Sequence, residues 1–537
     1  ALPIYQMRPH SLGFCLVLLA LVLSLTGLVT CHDNDRLSGP KGTNLMEIST
    51  RPWLYALSQK YNKPISRIMD IPVAEFEYYQ SHGIKIIYMM GVWHLGPYGL
   101  HHDQTDPNLL QSYAQVLPGY TMADIIGSPF AITNYTVNPE VGTVEDLKWL
   151  RSLLHKLGMA LFLDFVPNHT AVDCDWTTDN MDYYVRAPKG TQPPYDPSVY
   201  LPSGIAYGSD PYSGAWTDTA QLNYWNPDTR KARILEILTV LSVSDGIRID
   251  MSMLLLNDVI EKTWGPQLAS WGWQRPSTEF WAEASAAVRQ QYPNAVMMGE
   301  AYWGTQSQLI SLGLDFCYEK QLYDQLASGN DPSIESWIKA QPLTTLAHDT
   351  FFAENHDQPR AANYFGSWQR GFAASAVSFT LPAMSFSYFG QWSGFKNTLA
   401  VQLRRAAPEE VVSQCEEAYH ALFDRVLAHP LLQGNFSSFS QPSVVGSGQA
   451  GNFITSHYQS TSTSDSLLVV VNYSGDTSFG RVVLDDAISP SNNGTVTLHE
   501  LYSNTYYERQ LTEVKGEGLG FVVAAWGIQA FTYASQT

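Results

Sequence analysis

Cysteine is scarce, five in 537 residues and none in a CxxC spacing, which leaves a structural zinc site without support. Cys15 and Cys31 fall in an N-terminal apolar stretch. The other three, Cys174, Cys317 and Cys415, are odd in number and cannot all pair within one chain. Basic residues are few as well. Against 50 Asp and Glu stand 31 Lys and Arg, a formal charge of −19. That balance gives no footprint for nucleic acid and suits a neutral ligand better than a phosphorylated one.

Charge is absent altogether from residues 12–29, which follow Arg8 and His10. A positive start before such a run predicts entry into the secretory path. The run is about 18 residues, long enough to hold a bilayer, but no basic cluster follows it, which favours cleavage over anchoring. Residues 1–43 are therefore read as a signal peptide or signal anchor plus linker. The protein is expected to be secreted, or membrane-anchored with its folded part outside the cytoplasm, and to meet a membrane only if the segment stays uncleaved. In a eukaryotic pathway the sequons at Asn134, Asn435, Asn472 and Asn493 would be glycosylated. The Asn168-His169-Thr170 sequon belongs to a strand end and is expected to be buried and unmodified.

What is present is a core-forming chain, 45% hydrophobic and 12% aromatic. Its 15 Trp and 30 Tyr include rings able to stack on sugar faces, although core packing accounts for most of them. Four short apolar runs end in charged or imidazole side chains: Leu161-Phe162-Leu163-Asp164-Phe165-Val166-Pro167-Asn168-His169, Gly246-Ile247-Arg248-Ile249-Asp250, Val296-Met297-Met298-Gly299-Glu300 and Phe351-Phe352-Ala353-Glu354-Asn355-His356-Asp357. Runs of this kind fill parallel sheets. Their converging ends are how a (β/α)8 barrel builds a site.

In chain order, a strand at 45–48, a helix within 64–83, a strand at 84–90, a helix over 146–157 and a strand from 160 alternate at the βαβ rhythm. Residues 171–224, rich in Asp, Pro, Gly, Tyr and Trp, break it. They are read as an inserted loop domain after strand 3, the kind of excursion that carries binding function. An eighth strand is expected within 380–390 and a helix over 409–429. From about 434 the pattern changes to short alternating strands. The predicted fold class is therefore α/β: a (β/α)8 TIM barrel over 44–430 with an insert at about 171–224, then a C-terminal antiparallel β-sandwich over 431–537.

The four strand ends, in this order, resemble the four conserved regions of the α-amylase family of glycoside hydrolases, family 13. Gln221-Leu222-Asn223-Tyr224 and the segment 130–135 resemble two further motifs of that family, and the terminal sandwich is similar to its C-terminal domain. The resemblance covers about residues 44–535. It implies Asp250 as nucleophile, Glu300 as acid/base and Asp357 as the carboxylate that binds sugar hydroxyls and favours the distorted transition state. Arg248, two residues before Asp250 on one strand face, would hold that carboxylate ionised and oriented. Glu300, following Met297 and Met298, is expected in apolar company. His169 and His356 are expected to bind the sugar, with Phe130 in place of the family's usual stacking Tyr. Arg360 is expected as a further binding residue and Trp303 as an acceptor-side platform, while Asp164 ties strands together.

Departures bear on specificity. Met251-Ser252-Met253-Leu254 replaces the Lys-His pair that many α-amylases carry after the nucleophile. The 355–360 stretch looks more like oligosaccharide-acting α-glucosidases, yet Ala131 stands where many of those have an Asp that grips the terminal sugar. No cofactor is expected to be required. Calcium is the one metal the resemblance suggests, with Asn168 as a candidate ligand. The expected function is a retaining α-glycosidase acting on α-glucosidic bonds in oligo- or polysaccharides. The alternatives are a transglycosylase of the same family and a non-catalytic, membrane-anchored ectodomain.

Overall fold

The computed structural model describes residues 42–329, 331–446, 449–484 and 494–534. The N-terminal apolar run and the Asn493 sequon lie outside them. Eight strands close a parallel barrel in sequence order: β1 (Asn44–Ser49), β2 (Ile86–Met90), β3 (Ala160–Phe165), β4 (Gly246–Ile249), β5 (Val296–Gly299), β6 (Phe316–Tyr318), β7 (Asp349–Phe352) and β8 (Met384–Tyr388). All eight are buried along their length. That is why they read as continuous apolar runs, since both faces of a parallel sheet are covered.

Local chemistry sets several boundaries. The helix Val144–Lys156 starts at Thr143, where the Asp146 carboxylate accepts from the Thr143 amide at 2.9 Å and its hydroxyl at 2.6 Å, a capping box. It stops before Gly158 at φ +70°, a left-handed conformation natural to glycine. Gly246 is required for a different reason. A Cβ there would lie 2.5 Å from the Phe162 ring, so its absence lets that ring fill the barrel interior. The expected helix over 409–429 is shorter: it spans Ser413–Ala421 and widens into a π-type turn over Leu422–Leu427. Glu409 is withheld from it because its carboxylate accepts the Lys396 and Asn397 amides at 2.7 and 2.8 Å.

The insert is anchored at its base. His169–Ala171 pairs antiparallel with Thr219–Gln221, His169 opposite Gln221, and the Tyr224 hydroxyl donates to the Pro167 carbonyl at 2.7 Å. Between those ends the backbone is joined by isolated bridges such as Tyr184 to Leu222 and Gly208 to Trp216, which explains the lack of periodicity. A second excursion, after β2, carries the hairpin Trp93–Leu95 with Ile132–Val137.

The C-terminal sandwich has a six-stranded antiparallel sheet, running from Ser438–Ser440 to Thr505–Gln510, and a three-stranded one of Val444–Val445, Ser478–Val482 and Leu519–Val523. Its core packs Phe453, Leu468, Phe521 and Phe531 between the sheets. Tyr458 and Tyr473 hydroxyls donate to the Thr380 and Leu326 carbonyls at 2.5 and 2.7 Å. Sandwich and barrel thus form one body. No described helix is long and apolar enough to cross a membrane, and the described cysteines Cys174, Cys317 and Cys415 are free and buried.

One sequon expectation is overturned. Asn472 is fully buried, and its Nδ2 lies 2.8–3.1 Å from the carbonyls of Asp476, Val523 and Ala524. The folded chain leaves no room for a glycan on that nitrogen. Asn134 and Asn435 are exposed, and Asn168 is buried as expected. Replacing Asn472 by Ala should cost about 2 kcal/mol, the penalty for buried carbonyls left without a donor. Urea unfolding measures that loss; an unchanged midpoint, or a glycan found on Asn472, would contradict this packing.

Candidate active site

The strand register brings the carboxylates together. Arg248 on β4 is level with Met298 on β5. Side chains two apart share a strand face, so Asp250 and Glu300 emerge side by side above that level. Arg248 is fully buried. Its Nη1 donates to Asp250 Oδ1 at 2.8 Å, its Nη2 to Glu300 Oε2 at 2.6 Å, and Nη2 lies 3.8 Å from Asp357 Oδ2. One guanidinium joins all three predicted catalytic carboxylates. They face a cleft of about 940 Å³ at the C-terminal mouth of the barrel, with Phe130, His169 and Trp216 on its walls.

The expectation for Asp250 is met in part. Arg248 orients it, but burial outweighs the ion pair and, with Glu300 and Asp357 adding repulsion, pushes its carboxyl up to about 7. For Asp357 the balance is opposite. Burial alone would raise it, yet His356 and Arg248 hold it below the ordinary carboxylate range. Glu300 is not in the apolar company expected: besides Arg248 it accepts from the Met251 amide at 2.9 Å and the Tyr302 hydroxyl at 2.8 Å.

The two histidines are prepared for different work. His356 Nδ1 meets Glu47 Oε1 at 2.5 Å, and its Nε2 lies 2.9 Å from Asp357 Oδ2 without hydrogen-bond alignment. Burial pulls its pKa down, but the two carboxylates push it well above the usual imidazole value, so it carries charge. His169 has no such partner. Burial, then Arg233, pulls it down to about 3, so it is neutral, and its Nε2 has no protein partner. Phe130 stacks on His356 at 5.2 Å with Arg248 5.7 Å from its ring, so the ring forms the wall and buttresses the charged pair behind it.

Two predicted site residues are turned elsewhere. Arg360 pairs with Glu354 at 2.7 Å and the Phe389 carbonyl at 2.8 Å and stacks over Tyr388. It is buried and is not among the residues lining the cleft. Asn168 exchanges amide hydrogen bonds with Gln221 at 2.9 and 3.2 Å. Its oxygen is spent in tying down the insert. Among the described residues no cluster of three or more His, Cys, Asp or Glu is arranged to hold a metal ion, and the Asn168 oxygen expected to meet calcium accepts from Gln221. Trp303 does line the cleft, 44% exposed, with Tyr212 of the insert edge-on at 4.9 Å. Asp164, wholly buried, accepts from the Tyr88 hydroxyl and, at 2.7 Å, from the Gly91 amide. It joins strands as expected.

Sequence reasoning missed Glu47, Tyr302 and Tyr318. Tyr318 receives the remaining Arg248 donor, Nε, at 3.3 Å. Glu47 stands on β1 level with Tyr88 and Tyr388, so a charged residue inside an otherwise apolar strand was the available signal. Met251 was noted only for what it replaces. Its φ of +42° is rare for a long side chain, and its amide donates to Glu300 Oε2 at 2.9 Å.

The chain matches the family described as "Alpha amylase, catalytic domain" over residues 119–429. It is similar to Alpha-amylase 3 of Dictyoglomus thermophilum, 21% identical over 285 residues, covering 49% of this chain and 53% of that protein. An alpha-glucosidase of Apis mellifera is 25% identical over 312 residues, 50% of this chain and 54% of the relative. The chain therefore spans about half the length of the curated relatives it matches. Among solved structures, an alpha-amylase from Lactobacillus plantarum superposes with a TM-score of 0.66 at 17% identity over 92% of this chain and 99% of that one, a likeness of fold.

Removing Arg360 should leave the buried Glu354 charge without its partner. Arg360→Met is expected to lose about 3–5 kcal/mol of stability in urea unfolding without altering the cleft. Weakened sugar binding at unchanged stability would return Arg360 to the cleft.

Proposed function

The chain belongs to the alpha-amylase family, and from that premise we propose that it is a retaining glycoside hydrolase acting on α-glucosidic bonds in oligo- or polysaccharides. The observation that carries this reading is the single buried guanidinium ion-paired with Asp250 and Glu300 at the floor of the cleft. Two carboxylates on neighbouring nitrogens of one planar fork suit the roughly 5–5.5 Å spacing of retaining enzymes.

In this mechanism Asp250 forms a bond to the anomeric carbon as the glycosidic C–O bond breaks, and Glu300 gives its proton to the departing oxygen. Water then attacks the same carbon, Glu300 takes the water's proton, and Asp250 leaves as carboxylate. Asp357, held ionised beside charged His356, accepts from the sugar hydroxyls, and His169 offers its free Nε2 to another. The residues that would be missing from a non-catalytic relic are all present. The charge-free leader supports a secreted or membrane-anchored location.

Transfer to a sugar instead of water is the second reading. Trp303 and Tyr212, 44% and 67% exposed, form an aromatic pair at the cleft rim, steadied by a 2.8 Å bond from Lys262 to the Tyr212 hydroxyl. Such a platform suits an acceptor sugar.

Product analysis tests the proposal. The purified chain, given maltooligosaccharides, isomaltose, sucrose, trehalose and soluble starch separately, should release α-configured products from at least one. Asp250→Asn should lose more than about 10³-fold in turnover. Because Asp250 must be ionised to attack, kcat/KM should climb as pH rises through about 7. Longer products would favour the transfer reading. No turnover of any substrate, or near-normal turnover by Asp250→Asn, would overturn the reading.

A further inference from the structure

The two oxygens of Glu300 are not equivalent. Oε2 accepts from Arg248 Nη2 at 2.6 Å and from the Met251 amide at 2.9 Å. Neither donor can turn away. The guanidinium is fully buried and held by Asp250 and Tyr318 as well, and the amide lies in backbone held on either side by the Asp250 to Phe165 and Ser252 to Glu300 bonds. Oε1 has one partner, the Tyr302 hydroxyl at 2.8 Å. A hydroxyl can reverse, donating to a carboxylate or accepting from a carboxylic acid.

Tyr302 is set firmly in place. Trp303 at φ +61° and Gly304 at +73° turn the chain immediately after it, and its side chain lines the cleft beside Asp250, Glu300 and Asp357. Burial first, then Glu300 and Asp357, push the phenol well above its usual range, Arg248 opposing. It keeps its hydrogen through the working pH range and is neither acid nor base.

We infer that Tyr302 is a positioning residue for the acid/base. It selects Oε1 as the oxygen that carries the proton to the leaving glycosidic oxygen. This rests on the hydrolase reading above. In the resting site Tyr302 donates to the Oε1 carboxylate. When Glu300 takes up a proton it is carried on Oε1, since Oε2 already faces two fixed donors, and the tyrosine oxygen accepts it. The acid hydrogen then turns from the tyrosine oxygen to the glycosidic oxygen of bound substrate and passes to it as the C–O bond breaks and the Asp250 bond forms. The charged or titratable groups facing Glu300 are Arg248 and Asp250 from β4, Tyr318 from β6, Asp357 beyond β7 and Tyr302 itself. Of these only Tyr302 offers a reversible donor to Oε1.

Tyr302→Phe keeps the ring and removes the hydroxyl. Loss of a donor to the carboxylate disfavours its ionised form, so the alkaline limb of kcat/KM should move to higher pH by about one unit. Cleavage of a glucoside with a sugar leaving group should fall more than tenfold. A 4-nitrophenyl α-glucoside, whose leaving group needs little protonation, should be nearly unaffected. A uniform loss on both substrates with an unmoved limb would overturn the inference and leave a packing role. A titration needing no turnover separates this from failure of the hydrolase reading. The Glu300 carboxyl carbon, labelled with ¹³C and assigned by its loss in Glu300→Gln, should show the same upward displacement in folded Tyr302→Phe. An undisplaced titration would reject the inference even if neither protein cleaves any substrate.

Discussion

A guanidinium sunk to zero exposure in a barrel cannot stand alone, because burying an unpaired charge costs several kcal/mol. Arg248 is therefore the constraint on which the site depends. It needs carboxylates, and the strand ends supply three, from β4, β5 and the loop beyond β7. Burial makes Asp250 harder to ionise, and the neighbouring Glu300 and Asp357 charges add to the effect. On the proposed reading, the same arrangement holds a nucleophile, a proton carrier and a sugar-binding carboxylate in one place before substrate arrives, and preorganisation of this kind is the main source of catalytic power.

The surrounding structure serves that arrangement. Gly246 admits Phe162 to the interior. Tyr318 receives an Arg248 donor, and Asp357 together with Glu47 of β1 keeps His356 charged behind Phe130. The insert brings in the neutral wall: the Asn168–Gln221 amide pair and the Tyr224 to Pro167 bond hold His169 at the cleft edge. One side of the site is thus ionic and closed, and the other uncharged with a free nitrogen. That division suits a sugar whose charge develops only at the anomeric carbon.

Much of this was legible from residue order. Strand ends advertise themselves, since an apolar run that stops at a carboxylate or imidazole has no other explanation as economical as a barrel mouth. What could not be read was side-chain direction once the chain leaves a strand. Arg360 sits three residues past Asp357, but its guanidinium swings back to Glu354. Asn168 looks like an oxygen ligand until Gln221, 53 residues on, takes that oxygen. Asn472 carries a valid sequon inside a strand that the sandwich then buries. Strand β6, three residues long, was too short for any period to reveal. Tyr302 was within reach, two places after Glu300, but its significance depends on the turn at Trp303 and Gly304.

The central claim is that Arg248 holds a working nucleophile and acid/base pair, with Asp250 forming the covalent bond. The most direct measurement is to trap that bond with 5-fluoro-α-glucosyl fluoride, which forms a glycosyl-enzyme quickly and releases it slowly, and to map the adduct by mass spectrometry. The account predicts one fluoroglucosyl group per chain, on the peptide containing Asp250 and absent from Asp250→Asn. A chain that binds the sugar yet stays unlabelled, or carries the label on another residue, would contradict it.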